Sequence, residues 1–216
     1  MEKPNKGALM NKYILFLDLL FYLALPLLIW NYGRVYMGDY TAILVSSSVG
    51  ILYSIYRFYT MKKVSFTGMY ILISLLIKIF IEFFAGSALQ LLWNHIYYDF
   101  VTALFFLVTI VIKKPASLYL TLDIVELQGN DRALMKDLFY RGRIFRVFNV
   151  ITLVFCFREL VLAVTRIILV GRFGVDAYDE GIIYQQVISW IFTIIAGVGF
   201  IYVYKLLGPE TRENPK

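Results

Sequence analysis

Six stretches of the chain are almost wholly apolar, and shorter polar segments separate them. Most approach the roughly 17–25 residues that a helix needs to cross a bilayer. We therefore predict an all-α fold: a polytopic membrane protein with a single transmembrane domain, residues 1–216. The six predicted transmembrane helices are 13–30, 41–60, 67–86, 96–112, 147–170 and 183–206.

The composition agrees with a membrane protein. Of 216 residues, 60% are hydrophobic, against roughly 45–50% in soluble domains. The net charge of +6 comes from basic residues that lie between the apolar stretches. This placement is typical of cytoplasmic loops beside anionic lipid, so we expect membrane lipids, and not nucleic acid, as the partner of this charge.

Lysine and arginine predict the orientation. Sixteen of them fall at the N-terminus 1–12, in the second and fourth connections and in the tail, whereas the opposite connections hold only Arg34 and Arg172. Both termini should therefore be cytoplasmic, and the first span should be retained because no small-residue cleavage site follows it. We place five acidic residues on the outer side: Asp39, Asp99, Asp176, Asp179 and Glu180.

The longest connection, 113–146, is predicted to be cytoplasmic and helical. Pro115 suits a first helical turn, and Leu118, Leu122 and Val125 share a face. A break at Gly129-Asn-Asp131 then starts a second helix, with Asp131 as its cap. In that helix Leu134, Leu138, Phe139 and Phe145 oppose Lys136, Arg141, Arg143 and Arg146. Two interpretations stay open: an amphipathic helix in the anionic leaflet, or a solvated basic loop.

The spans also predict three hairpins that resemble one another. In each, a rising helix carries buried charge, an outer loop is rich in Tyr and Asp, and the returning helix holds no internal charge. Three such hairpins would pack their polar faces together. The candidate intramembrane polar site consists of Asp18, Lys78, Glu82, Arg158, Glu159 and Arg166.

These six side chains sum to zero charge, so two interpretations stay open: a proton or substrate pathway, or structural ion pairs. Lys78 and Glu82 are four apart and share a helical face, as do Glu159 and Arg166, seven apart. Arg158 should point about 100° away from Glu159 and need another partner. By depth, Arg158 and Glu159 lie near mid-membrane, which makes them the first choice for a functional site.

Smaller features give weaker indications. Ser46-Ser-Ser48 with Gly50 could line a cavity, but close helix packing is the more usual role of small residues. Pro26 and Ala196-Gly-Val-Gly199 could kink their helices. Arg34 could bind an anion at the outer mouth, but an ion pair with Asp39 is the more common arrangement.

Catalytic signatures are missing, so we do not expect an enzyme. The sequence has no nucleophile-elbow, zinc-protease or phosphate-loop motif. Its single cysteine, Cys156, and single histidine, His95, exclude an intrachain disulfide and a multi-histidine metal site. No histidine base for the buried Ser and Glu residues is evident, and we expect no cofactor.

Several motifs resemble a known family. They are Leu17-Asp-Leu-Leu-Phe-Tyr-Leu-Ala-Leu-Pro-Leu-Leu-Ile-Trp-Asn-Tyr-Gly-Arg34, Tyr56-Arg-Phe58, Lys113-Lys-Pro115 and Gly174-Val-Asp-Ala-Tyr-Asp179. They look like an uncharacterised bacterial family of six-span inner-membrane proteins, loosely grouped with the intracellular septation protein A family. The resemblance implies a multi-pass protein of the bacterial inner membrane, linked to envelope maintenance.

Two functions follow as hypotheses. The first is a small-solute or ion transporter that uses the buried charged cluster. The second is a non-transporting scaffold of the envelope or division machinery, alone or as a homo-oligomer, in which the charges only lock the helices together.

Overall fold

The computed structural model describes residue 17 and residues 20–61, 66–127 and 130–212, and all regular secondary structure in these ranges is helical. The all-α prediction is therefore confirmed. Three helices are long and apolar enough to cross a membrane: Leu20–Tyr56, Phe66–Phe84 and Ala88–Val111. We number the helices α1 (Leu25–Met61), α2 (Phe66–Phe84), α3 (Ala88–Val111), α4 (Ala116–Leu127), α5 (Arg132–Phe139), α6 (Gly142–Phe173) and α7 (Ala177–Arg212).

Helix α1 reverses direction at Gly38, which has φ 77° and ψ 163°. This backbone conformation is essentially restricted to glycine. The two arms fold back on each other: the Ser46 hydroxyl donates to the Pro26 carbonyl at 2.7 Å, and the Phe21 and Tyr53 rings stack at 4.6 Å. The connection predicted at 31–40 is thus helical up to a sharp reversal.

A short π-helix, Leu20–Ala24, precedes Pro26. Proline has no N–H for the carbonyl one turn earlier, and its ring crowds that carbonyl. A wider π-turn is a common local solution to such a misfit. The predicted disturbance at Pro26 therefore occurs just before the proline. By contrast, α7 continues as a helix through Gly197 and Gly199.

Helix α3 begins at Ala88, eight residues before the predicted start at 96. Ser87 caps it, because its side chain accepts a hydrogen bond from the Gln90 N–H. The stretch 88–95, which the predicted bounds left outside the fourth span, is therefore part of the helix. This correction places His95 and Asp99 inside the bundle.

The helices pack unevenly. Helix α6 makes extensive contact with both α3 and α7, whereas α2 and α3, joined by 85–87, touch only weakly. A Cβ on Gly199 would lie 2.6 Å from Ile151 Cγ1, so glycine permits the close approach of α6 and α7. The helices of the third predicted hairpin, α6 and α7, pack closely against each other. Those of the second, α2 and α3, leave space between them.

The connection contains two helices, as predicted, but α5 ends at Phe139, so Arg143, Phe145 and Arg146 of the predicted second helix belong to α6. The Asp131 carboxylate caps α5 by accepting from the N–H groups of Ala133 and Leu134. Leu118, Leu122 and Phe139 are fully buried and pack in one cluster with residues of α6 and α7. The apolar faces of α4 and α5 are therefore largely covered by other helices of the protein. Leu134, on the predicted apolar face of the second helix, is exposed.

Apolar side chains also cover the outer surface of the bundle. Phe83, Val101 and Ile194 are 77%, 60% and 69% exposed, whereas several charged residues are buried between the helices. Soluble monomers rarely expose contiguous apolar surface larger than a few hundred Å². This inverted distribution is compatible with a protein surrounded by lipid.

A central polar cavity as the candidate functional site

A cavity of about 550 Å³ lies at the centre of the bundle, between α1, α2, α3, α6 and α7. At one end, which we call the Gly38 end, it borders a buried cluster that includes Trp30, Leu91 and Tyr178. Toward the other end, the α4–α5 end, Tyr70 of the lining packs on a cluster with Phe106 and Cys156. The volume falls in the range of small-molecule sites.

Helix α2 presents a polar ladder to this cavity. Tyr70, Ser74, Lys78 and Glu82 all line it, and their four-residue spacing places them on one face. The Lys78 ammonium lies 5.6 Å from the centre of the Tyr98 ring of α3. The Lys78–Glu82 ion pair that this spacing allows is not formed, so α2 contributes two separate charges.

Arg158 and Glu159 pair directly, contrary to the prediction that Arg158 needs a partner elsewhere. Its Nη1 lies 3.0 Å from Glu159 Oε1, and its Nη2 donates to the Ser189 hydroxyl of α7 at 3.2 Å. The long arginine side chain spans the 100° between successive positions. Arg158 Nε is buried and has no hydrogen-bond partner among the described residues.

Arg166 pairs with Asp99 and not with Glu159. Its Nη1 lies 2.7 Å from Asp99 Oδ2, and its Nη2 donates to Gln185 Oε1. Asp99 was predicted in the outer acidic set, but it is 4% exposed and lines the cavity. The returning helix α3 therefore does carry a buried charge, and this rule of the predicted repeat is wrong.

His95, which the sequence analysis did not place near the buried acids, lies beside Glu82. The distance from its Nε2 to Glu82 Oε1 is 3.9 Å, and both residues line the cavity. The expectation that no histidine accompanies the buried acids was therefore wrong. A helical spacing signal could have found this face, since His95, Asp99 and Thr102 are four and three residues apart and all line the cavity.

The serines of α1 serve both roles considered for them. Ser46, Ser47 and Gly50 line the cavity. The Ser46 hydroxyl accepts from the Tyr178 hydroxyl at 3.0 Å and donates across α1. A Cβ on Gly50 would lie 3.3 Å from the Tyr22 ring, so small residues here permit close packing next to open space.

Five of the six predicted site residues line the central cavity: Lys78, Glu82, Arg158, Glu159 and Arg166. The sixth, Asp18, lies outside the described residues. The other predicted charged contact, Arg34 with Asp39, forms at 3.2 Å at the Gly38 end. Arg34 also bonds Asp176 and stacks over Trp30 at 4.6 Å, so its charge is engaged within the protein.

A second polar cluster joins the connection to α2. The Asp123 carboxylate accepts from the Thr67 N–H at 2.6 Å, from the Thr67 hydroxyl at 2.7 Å and from Arg132 at 2.7 Å. Burial alone would raise the pKa of Asp123, but these hydrogen bonds together outweigh it and hold the pKa below its usual value. This carboxylate is fully engaged at the start of α2.

Comparisons with models of protein families, with curated proteins and with solved structures give no match for this chain. The family resemblance of the motifs stays a prediction. Functional inference therefore starts from the cavity.

Proposed function

We propose that the protein is a small-solute or ion transporter of the bacterial cytoplasmic membrane, with the central cavity as its substrate site. In this proposal the two arms of α1, together with α2, α3, α6 and α7, are six spans. Both termini and the α4–α5 end face the cytoplasm. The excess of lysine and arginine in the connections at that end supports this orientation.

The observation that carries the proposal is a cavity lined by charged side chains. In a bundle with a purely structural role, packed side chains would fill this space. Protein interiors are close-packed, with few voids larger than a water molecule. An ion pair that only locks helices needs its partner but no open space beside it. About 550 Å³ of space bordered by Lys78, Glu82, Arg158 and Arg166 therefore favours a binding role.

The packing of the bundle supports alternating access. Buried apolar residues lie next to the cavity toward each end, so either side could be closed by packed side chains. Helix α2 packs weakly against α3, which makes α2 the natural moving element. In secondary transporters, one bundle typically rocks against another around a central site.

The test is solute flux into proteoliposomes that contain the purified protein, with amino acids, organic acids, sugars and alkali cations as probes. We expect flux of at least one class, and a loss of about tenfold or more in Arg158→Ala and Glu159→Gln. The matched controls are Arg172→Ala and Glu180→Gln, which make the same two kinds of substitution at exposed positions. Both controls should keep full flux. Size-exclusion profiles and melting curves establish that each variant folds. Absence of flux across the whole panel would contradict the proposal.

The alternative is a scaffold of the envelope or division machinery, and the contacts of the two buried arginines with neighbouring helices favour it. Arg166–Asp99 joins α6 to α3, and the hydrogen bond from Arg158 to Ser189 joins α6 to α7, as structural locks would. The family resemblance points the same way. This function predicts no flux for any probe, with reproducible capture of an envelope protein or self-association as the activity that survives.

A further inference from the structure

Six charged side chains line the central cavity, and two ion pairs account for four of them. Arg158 pairs with Glu159, and Arg166 pairs with Asp99. Lys78 and Glu82, both on α2, remain. Within the described residues, neither has an oppositely charged Lys, Arg, Asp or Glu group within 4.0 Å. These two charges are therefore available to a ligand.

Helix α3 holds these two charges apart. The Lys78 ammonium lies over the Tyr98 ring, and the Glu82 carboxylate lies 3.9 Å from His95. His95 and Tyr98 are three residues apart, so their side chains lie about 4.5 Å apart along the helix axis. The charged groups of Lys78 and Glu82 are more than 4.0 Å apart and form no ion pair with each other.

An ammonium and a carboxylate removed from bulk water are costly unless each has a partner. A solute with one charge would neutralise Lys78 or Glu82 and leave the other unmatched. A solute with a positive and a negative end would neutralise both at once. The wall of α2 thus matches a dipolar solute better than an anion or a cation.

We infer that the cavity binds a small zwitterion, whose carboxylate contacts Lys78 and whose ammonium contacts Glu82. This inference rests on the proposed function, because it names the class of solute that the transporter carries. Because the two charged groups are more than 4.0 Å apart, we expect an amino acid with its charged ends separated by a short aliphatic chain to fit better than one with both groups on the same carbon.

The experiment measures the melting temperature of the purified full chain in detergent with added probes. Glycine, β-alanine and γ-aminobutyrate form a series of increasing charge separation, and butylamine and butyrate each carry one of the two charges. We expect γ-aminobutyrate to raise the melting temperature by a few degrees near saturation. Glycine should bind more weakly, and the two singly charged probes should have little effect.

Variants then locate the two ends of the ligand. Lys78→Met and Glu82→Gln should each weaken γ-aminobutyrate binding about tenfold or more. Lys78→Arg keeps the charge and should retain most of the binding, which separates a lost contact from a damaged fold. Arg172→Ala, at an exposed position, is the control and should bind like the original chain.

The inference and the proposed function fail in different ways. If butylamine or butyrate stabilises the chain as well as γ-aminobutyrate, or if Lys78→Met leaves binding unchanged, the zwitterion site is overturned even where flux of another solute persists. The same conclusion holds if no zwitterion in the series binds. Zwitterion binding without flux in proteoliposomes would keep the site and overturn the transport proposal.

Discussion

The α4–α5 end and the central cavity both bury charged side chains, but they satisfy them differently. At the α4–α5 end, Asp123 is 3% exposed and accepts from Thr67 and from Arg132. In the cavity, Glu82 is 7% exposed, and its nearest basic group is His95 at 3.9 Å, which is beyond hydrogen-bond distance. A buried charge with every partner in place stabilises the fold, whereas a buried carboxylate without a Lys or Arg partner can bind a cationic group of a ligand.

Other polar groups at the α4–α5 end also have partners, with buried Asn149 Oδ1 as an exception. At the α4–α5 end, the N–H groups of Ala116 and Ser117 in the first turn of α4 donate to the hydroxyls of Thr109 and Thr152. These first-turn groups have no partner within a helix, so the two threonines complete the start of α4. In the cavity, Arg158 Nε is a buried donor without an acceptor among the described side chains.

The largest effect on stability should come from Asp123→Ala. This change removes the cap of α2 and a charge-assisted hydrogen bond, so we expect the free energy of unfolding to fall by about 2–4 kcal/mol. Chemical unfolding in detergent micelles measures it. Glu126→Ala removes the other carboxylate bound to Arg132 at 2.6 Å, but that side chain is 46% exposed, so its loss should cost less than about 1 kcal/mol. Equal losses in the two variants would contradict the distinction.

Two glycines of α7 test how closely α6 and α7 pack against each other. Gly199→Ala would place a Cβ 2.6 Å from Ile151, so overpacking should cost about 1–3 kcal/mol of unfolding free energy. Gly197→Ala, two residues away, meets nothing within 4 Å and should be neutral or stabilising because alanine favours helix. Melting curves of the two variants in the same detergent decide the point. Equal melting temperatures would mean that α6 and α7 are less closely packed than described.

Much of the well-satisfied end could be predicted from the sequence because its signals are local. The cap at Asp131, the break before it and the shared face of Leu118 and Leu122 all depend on residues a few positions apart. The apolar faces that we assigned to lipid or solvent instead pack on α6 and α7. Contact between distant segments carries no local signal in a single chain.

The cavity was predicted in part for a related reason. Counting charges inside apolar stretches finds Lys78, Glu82, Arg158, Glu159 and Arg166, and the structure brings them together. The same counting placed Asp99 on the outer side, because the aromatic residues before it are typical of the end of a transmembrane helix. Which charges pair also depends on side-chain reach between helices, so the partner of Arg166 could not be read from spacing.

The pH dependence of stability gives a smaller, directional test. Because the pKa of Asp123 is lower in the folded protein than in the unfolded chain, about 3.9, the ionised carboxylate stabilises the fold above that value. This contribution is lost as pH falls below about 4 and through the pKa of the folded state. The difference in melting temperature between the original chain and Asp123→Asn should therefore shrink over that range. A difference that stays constant would mean that the charge of Asp123 does not matter.

A small effect on stability should also come from Glu82→Gln, although its side chain is nearly as buried as that of Asp123. Glutamine keeps the shape and removes a charge that has no cationic partner among the described Lys and Arg side chains. We therefore expect the free energy of unfolding to change by less than about 1 kcal/mol, while zwitterion binding falls. Unfolding in micelles and ligand-dependent melting, measured on one preparation, separate the two effects. A loss of stability as large as that of Asp123→Ala would show that Glu82 locks the bundle, and the scaffold interpretation of the cavity charges would then be the better one.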